Sequence, residues 1–161
     1  MRRHLRSAAI VLVLVVIQAT FLPLLGINGV VPDVLMLWVV YNGIRRGQIE
    51  GVTGGFIVGL LQDLVTTQFF GLAALSKCVA GFLAGYFFNE NKTALTLGTY
   101  RYLLIVGACS MAHNLLYYVI FLLGAEPSGG LTAVTLSLSM AAYTVAVGSL
   151  LMFAFSRMRF A

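Results

Sequence analysis

The feature that most constrains this chain is a series of long apolar stretches that leave almost no residues for a polar surface. Of the 161 residues, 60% are hydrophobic and only 9% are charged. A soluble domain usually carries about 25% charged residues, so a water-facing globule of this composition would expose much of its apolar surface. We therefore predict an all-α integral membrane protein in which the whole chain, residues 1–161, forms a single transmembrane domain.

Six apolar stretches approach the length of about 20 residues that a transmembrane helix needs. The predicted spans are residues 7–25, 30–46, 49–66, 69–88, 101–123 and 131–155. The second is short and could be re-entrant, but the basic residues favour a crossing. With six spans and both termini in the cytoplasm, every lysine and arginine except Lys77 lies in a cytoplasmic segment, as the charge bias of short loops requires. The prediction is a compact six-helix bundle, N-in and C-in.

Small residues recur at a spacing of four in the third and fourth spans. Gly51, Gly55 and Gly59 share one face of the third helix, and Gly81 and Gly85 share one face of the fourth. Hydrophobicity alone does not join helices in a bilayer, whereas close packing of small residues does. We therefore predict a tight hairpin of these two helices, with its turn near residues 66–70 on the outer side. A face for a partner subunit is the alternative interpretation.

Two charged residues, Asp63 and Lys77, lie inside this hairpin at membrane depth. At 1.5 Å per residue, Asp63 lies roughly 5 Å and Lys77 roughly 13 Å below the outer surface, and a lysine stem can extend toward that surface. Charged side chains in membranes usually pair, so we predict an Asp63–Lys77 ion pair that fixes the helix register. A role in binding a partner or ligand, or in an ion pathway, is the alternative.

Asp33 is a second candidate partner for Lys77. Its position just after Pro32 is typical of a helix start, because proline suits the first helical position and the helix dipole favours a carboxylate there. We expect Asp33 in the first turn of the second helix at the outer interface. A partner contact, or a share in the Lys77 network, is the alternative.

No motif in the sequence indicates catalysis, metal binding or a cofactor, and we expect none of the three. His113 lies mid-span without a His, Glu or Cys at the next helical turn, so a hydrogen bond to a neighbouring helix is expected instead of a metal site. Metalloprotease, P-loop and serine-hydrolase signatures are missing. Cys78 and Cys109 have no pairing pattern and are expected to be small buried residues. The basic residues gather at span ends, which does not favour nucleic-acid binding.

The order of several short motifs resembles the rod shape-determining protein MreD family of bacteria. The resemblance covers residues 32–86 and rests on Pro32-Asp33 before a short apolar helix, Arg45-Arg46-Gly47, GGFIVGLLQD, Gly71 followed by Leu75, and GFLAGY. The positions that match the family's pattern are Pro32, Asp33, Gly55, Gly59, Asp63 and Gly71. With Lys77, Gly81 and Gly85 added for their charge and spacing, these residues are predicted to bind a partner or to form the structural core.

The resemblance implies a non-enzymatic protein of the cell-elongation machinery in the bacterial cytoplasmic membrane. It implies binding to MreC, a single-pass protein, and through it an indirect connection to the peptidoglycan polymerase and transpeptidase and to the actin-like MreB. It also implies a fold similar to the S components of energy-coupling-factor transporters, although fold alone does not carry function.

Two other functions stay open at this point. One is a substrate-binding membrane subunit of a small-molecule transporter, which the short and almost uncharged outer loops disfavour for charged ligands. The other is a lipid-binding regulator, since basic residues at the inner surface attract anionic headgroups. Self-association is a further option for the glycine-rich faces.

Overall fold

A computed structural model of the chain describes residues 2–26, 30–66, 70–125 and 130–158. These residues form seven α-helices and one short 3-10 helix, Leu22–Leu25. The α-helices are α1 Arg2–Thr20, α2 Val34–Arg46, α3 Gln48–Thr66, α4 Leu72–Tyr86, α5 Thr93–Leu97, α6 Tyr100–Ala125 and α7 Gly130–Met158.

The helices follow the predicted spans in order, with three helices long and apolar enough to cross a membrane. These three segments are Gln48–Thr66, Tyr100–Phe121 and Ala133–Leu150. The apolar parts of α1 and α4, Ser7–Thr20 and Leu72–Tyr86, are shorter. The all-helical membrane architecture is thus supported, while six crossings with both termini inside stay a prediction.

The structure corrects two boundaries of the predicted spans and adds one short helix. The α1 helix ends at Thr20 and continues as the 3-10 helix, because Pro23 lacks an N–H and disfavours α-helical geometry in the residue before it. The α2 helix begins at Val34 with Asp33 as its N-cap, so Pro32 precedes the helix and does not occupy its first position. The short helix α5 lies between the fourth and fifth predicted spans and was not predicted.

Helix α2 lies at the centre of the bundle although it is only 13 residues long. On one side it packs against α1 and α3 through contacts that include Val11 and Val58. On the other side it packs against α4 and α6, where Ala80 and Val106 are fully buried. At 1.5 Å per residue, α2 spans about 20 Å, which is less than the hydrocarbon thickness of about 30 Å. Its start directly follows Pro32, whose side chain is fully buried.

The α3–α4 hairpin is packed backbone against backbone, as the glycine spacing predicted. A Cβ atom added to Gly55 would lie 2.3 Å from the carbonyl oxygen of Lys77, and one added to Gly81 would lie 2.1 Å from the carbonyl oxygen of Gly51. At Gly59 and Gly85 the nearest backbone atoms would be 2.4 Å away. Each distance is shorter than a Cβ contact allows, so only glycine permits this approach.

Candidate functional site: polar contacts inside the bundle

Asp63 does not pair with Lys77 but caps the start of α4. Its Oδ2 accepts hydrogen bonds from the backbone N–H groups of Gly71 (3.0 Å) and Ala74 (3.1 Å), and its Oδ1 accepts one from Ala73 (3.2 Å). The first N–H groups of a helix have no partner within the helix, and the dipole favours a negative charge there. The prediction of an Asp63–Lys77 ion pair is therefore wrong.

Gly71 explains why this cap must come from another helix. It is the N-cap residue of α4, it has a φ of 95°, and it offers no side chain to bond the free N–H groups. Left-handed backbone of this kind favours glycine. The hairpin thus depends on three features together, which are the Asp63 carboxylate, the Gly71 turn and the glycine faces of α3 and α4.

Lys77 forms its ion pair with Asp33, the candidate partner that the depth argument ranked second. The Lys77 side chain is fully buried, and its Nζ bonds Oδ2 of Asp33. Nε2 of His113 lies 3.4 Å from Lys77 Nζ and 3.7 Å from the same carboxylate oxygen. The pair therefore joins α2 to α4, and His113 brings α6 into the contact, as expected for a histidine that bonds a neighbouring helix.

Asp33 also fulfils its predicted role as a helix-start residue. Its Oδ1 accepts a hydrogen bond from the backbone N–H of Met36 at 3.0 Å, which caps α2. Its own backbone N–H donates to Oγ1 of Thr144 on α7 at 3.1 Å. Asp33 therefore starts α2 and also shares in the Lys77 network. Its place at the outer interface and a contact with a partner stay predictions.

Gln18 of α1 completes the contacts at this point and was not singled out from the sequence. Its Nε2 donates to the carbonyl oxygen of Pro32 at 3.1 Å, and its Oε1 accepts from the backbone N–H of Val34 at 3.0 Å. The available signal was a glutamine within an apolar span, because a polar side chain at that depth must have a partner inside the protein. We refer to Gln18, Asp33, Lys77, His113 and Thr144 as the α2-start cluster.

The α2-start cluster supplies hydrogen bonds that a short helix cannot make for itself. Non-helical backbone at membrane depth is tolerated only where the protein satisfies its polar groups. The carbonyl of Pro32 and the N–H groups of Asp33, Val34 and Met36 all receive partners from side chains of the cluster. The Asp33 carboxylate is balanced by Lys77, so the buried charge is also compensated.

The polar side chains inside the bundle hold its helices in position. Among the residues that the structure describes, no group of three or more His, Cys, Asp or Glu side chains could hold a metal ion. Away from the cluster, Asn42 of α2 donates from Nδ2 to the carbonyl oxygen of Glu50 at 2.9 Å and so ties α2 to the start of α3. Cys109 is buried and Cys78 is half-buried, and both are free thiols.

A comparison with models of protein families identifies the family of this chain. A family model for the rod shape-determining protein MreD matches residues 2–159. The chain belongs to the MreD family. Membership gives it a role in rod shape determination and places it among the membrane proteins of the cell-shape machinery. Neither the search of curated proteins nor that of solved structures found a match, so the expected similarity to transporter S components stays a prediction.

The residues that carried the resemblance to MreD lie in the two internal structures described above. Gly55, Gly59, Asp63 and Gly71 build the α3–α4 hairpin, together with Gly81 and Gly85. Pro32 is buried at the start of α2 beside Asp33 and Lys77. All nine predicted site residues thus occupy structural positions, and a direct contact of any of them with a partner stays a prediction.

Proposed function

We propose that this MreD protein is a non-enzymatic scaffold of the cell-elongation complex, a multi-pass protein of the bacterial cytoplasmic membrane that binds an MreC-like single-pass protein. Through that partner it would be coupled to the peptidoglycan polymerase and transpeptidase outside the membrane and to MreB filaments inside. Its six crossings would place both termini in the cytoplasm and the α3–α4 turn on the outer side.

The observation that carries the proposal is the rigid α3–α4 hairpin with an apolar outer surface. Leu64 and Val65 near the end of α3, and Leu75 and Val79 in the first half of α4, are exposed. Side chains in these positions can pack against a transmembrane helix of a partner, because association in a bilayer relies on shape and close packing. A surface on a rigid hairpin also loses little conformational entropy on binding.

Asp63 and Lys77 contribute to this surface indirectly. Their side chains are 4% and 0% exposed, so neither presents its charge to a partner. Asp63 fixes the start of α4 below the turn, and Lys77 fixes α4 to α2. Substituting either one is expected to weaken partner binding by loosening the hairpin.

The test compares surface substitutions that leave the interior unchanged. Leu75→Trp adds bulk to the proposed docking face, and Leu138→Trp adds the same bulk to the exposed face of α7. From cells lacking the native protein, each tagged variant is purified in mild detergent, the co-purified MreC-like protein is quantified, and cell shape is scored. We expect Leu75→Trp to lower partner recovery by about tenfold, equivalent to about 1.4 kcal/mol, with rounded cells, and Leu138→Trp to behave as wild type.

Two results would contradict the proposal. Full partner recovery and rod shape in both Leu75→Trp and Val79→Trp would exclude the outer half of the hairpin as the docking face. Co-purification with a pair of ATPases and a second membrane subunit, without an MreC-like protein, would instead identify the transporter alternative.

A further inference from the structure

Two of the helix interfaces in the bundle differ in how they are packed. Between α3 and α4 the backbones are in direct contact at Gly51, Gly55, Gly59 and Gly81. Helix α6 meets α2 and α4 through side chains such as Ile105, Val106 and Cys109. We call this second interface the α6 seam; α6 also packs extensively on α7.

The α6 seam is bridged by polar contacts at the centre of the bundle. His113 of α6 lies beside the Asp33–Lys77 pair, and Thr144 of α7 accepts the hydrogen bond from the backbone N–H of Asp33. A further bridge runs from the hydroxyl of Tyr102 on α6 to the carbonyl oxygen of Leu37 on α2 at 2.9 Å. The α2-start cluster therefore links the α1–α4 part of the chain to the α6–α7 pair.

We propose that α6 and α7 form a unit that can separate from α1–α4 along the α6 seam, and that the α2-start cluster is the latch that keeps it closed. Lipid chains replace part of the side-chain contacts between helices, since the membrane is as apolar as leucine. Backbone contacts between glycines have no such substitute, so the α3–α4 interface stays closed. What opposes opening at the α6 seam is the loss of the polar contacts, which lipid cannot replace.

The connection between the two parts permits this movement. Residues 87–99 join α4 to α6, contain only the five-residue helix α5, and carry many exposed side chains. A link of 13 residues can follow a displacement of several ångströms without strain, because each extended residue spans about 3.3 Å.

The chain carries one native cysteine at each interface, and these thiols can report the opening. Cys109 lies in the α6 seam and is 2% exposed. Cys78 lies in the α3–α4 interface, with its Sγ 3.7 Å from the carbonyl oxygen of Val52. Separation along the α6 seam exposes the Cys109 thiol and leaves the contact of the half-buried Cys78 thiol with α3 unchanged.

The experiment measures the rate of alkylation by N-ethylmaleimide in full-length protein in mild-detergent micelles at a fixed pH, because the reagent reacts with the thiolate and therefore needs water at the opened seam. Two single-thiol backgrounds, Cys78→Ala and Cys109→Ala, isolate each reporter. Lys77→Met keeps the apolar stem and removes the ion pair, and Thr144→Val removes only the acceptor on α7. Thr53→Val is the matched control for Thr144→Val, because Thr53 is exposed on α3 and its hydroxyl bonds only its own helix.

We expect the Cys109 rate to rise by about a hundredfold in Lys77→Met, the size of effect that breaking a buried ion pair produces. In Thr144→Val we expect a rise of about fivefold, as for the loss of one hydrogen bond. The Cys78 rate should not change in any variant, and Thr53→Val should leave both rates at the wild-type level.

Two patterns would overturn the proposal. If the Cys78 and Cys109 rates rise together, the cluster stabilises the whole bundle and no separate unit exists. If the Cys109 rate does not change in Thr144→Val, the cluster does not hold the α6 seam closed. Because Thr144→Val removes one hydrogen bond and no charge, it decides the question even if Lys77→Met does not fold.

Discussion

Replacing Asp63 with alanine removes the acceptor of three backbone N–H groups at the start of α4, those of Gly71, Ala73 and Ala74. An N-cap residue contributes about 1 kcal/mol, and each buried donor left without a partner costs about 1–3 kcal/mol. The Gly71 N–H is only partly buried, whereas the other two are buried. We therefore expect Asp63→Ala to lower the free energy of unfolding by about 3 kcal/mol, since capping and desolvation overlap.

Asp63→Asn should lower the free energy of unfolding less than Asp63→Ala does, because the asparagine keeps one oxygen acceptor. One amide oxygen in the place of Oδ2 can still accept from Gly71 and Ala74, while the amide NH₂ group would face the N–H of Ala73. The loss is one charge-assisted hydrogen bond and the interaction of the charge with the helix dipole. We expect about 1.5 kcal/mol for this variant.

The assay uses the chain's single tryptophan, Trp38, whose ring lies against Gly54 at the α2–α3 contact. Its fluorescence is followed while sodium dodecyl sulfate is titrated into protein in mild-detergent micelles. The control is Glu50→Gln, also on α3, because the partly exposed Glu50–Arg46 pair at 3.6 Å should contribute at most about 0.5 kcal/mol. If Asp63→Ala unfolds at the same midpoint as Glu50→Gln, the capping role of Asp63 is refuted.

Three further predictions use the same assay. Gly55→Ala should lower the free energy of unfolding by about 2 kcal/mol through overpacking, because the added Cβ meets the backbone of Lys77. In the control Gly107→Ala the added Cβ would meet only a Val145 methyl at 3.3 Å, so this variant should be neutral or more stable by up to about 0.5 kcal/mol. Equal unfolding midpoints of the two variants would contradict the backbone packing. The Cβ that Gly71→Ala adds has no atom within 4 Å. The free energy of unfolding should therefore fall only by the cost of the left-handed backbone, about 1–2 kcal/mol, and a larger loss would contradict this. Asp33→Asn and Lys77→Met should each lower the free energy of unfolding by about 3 kcal/mol, but the double variant should lower it less than either single variant. Additive losses would show that the two side chains are not coupled.

The α3–α4 hairpin could be predicted from the sequence because its cause is local. Residues spaced by four lie on one helical face whatever the rest of the chain does, and glycine at those positions has one evident use in a bilayer. The helix start at Asp33 was predictable for the same reason, since the N-cap preference depends only on adjacent residues. The predicted bounds of α3 and α4 differ from those of the structure by at most three residues, and α2 begins four residues after the predicted start of its span.

The partner of Lys77 could not be predicted in the same way. Counting residues from the turn gives the depth of a side chain, but not the direction in which the helix points it. Asp63 has the right depth and points at the N–H groups of α4, while Asp33 approaches Lys77 from another helix. A better signal was the start of α4, where Gly71 and the apolar residues after it provide no side-chain cap. An uncapped buried helix needs an outside acceptor, and Asp63 is the nearest carboxylate along the chain.

The remaining contacts of the α2-start cluster involve residues that are distant in sequence. Thr144 is 111 residues from Asp33, and Gln18 is 14 residues from Pro32 and lies on another helix. No spacing rule links such pairs. Their common property is a polar group inside an apolar span, which shows that a partner exists without identifying it.

The internal position of the MreD-family residues changes how variants at these sites must be interpreted. Asp63, Lys77 and the hairpin glycines are buried, so a substitution there acts first on the fold. A variant that loses rod shape because the protein unfolds will also be depleted from the membrane, whereas a variant that loses a partner contact will keep its normal amount. Shape defects at Asp63 or Lys77 should therefore scale with the loss of membrane-inserted protein, and those at the exposed Leu75 should not. Contact residues are to be sought among the exposed apolar side chains of the helices, where composition is constrained by lipid and no motif is visible in the sequence.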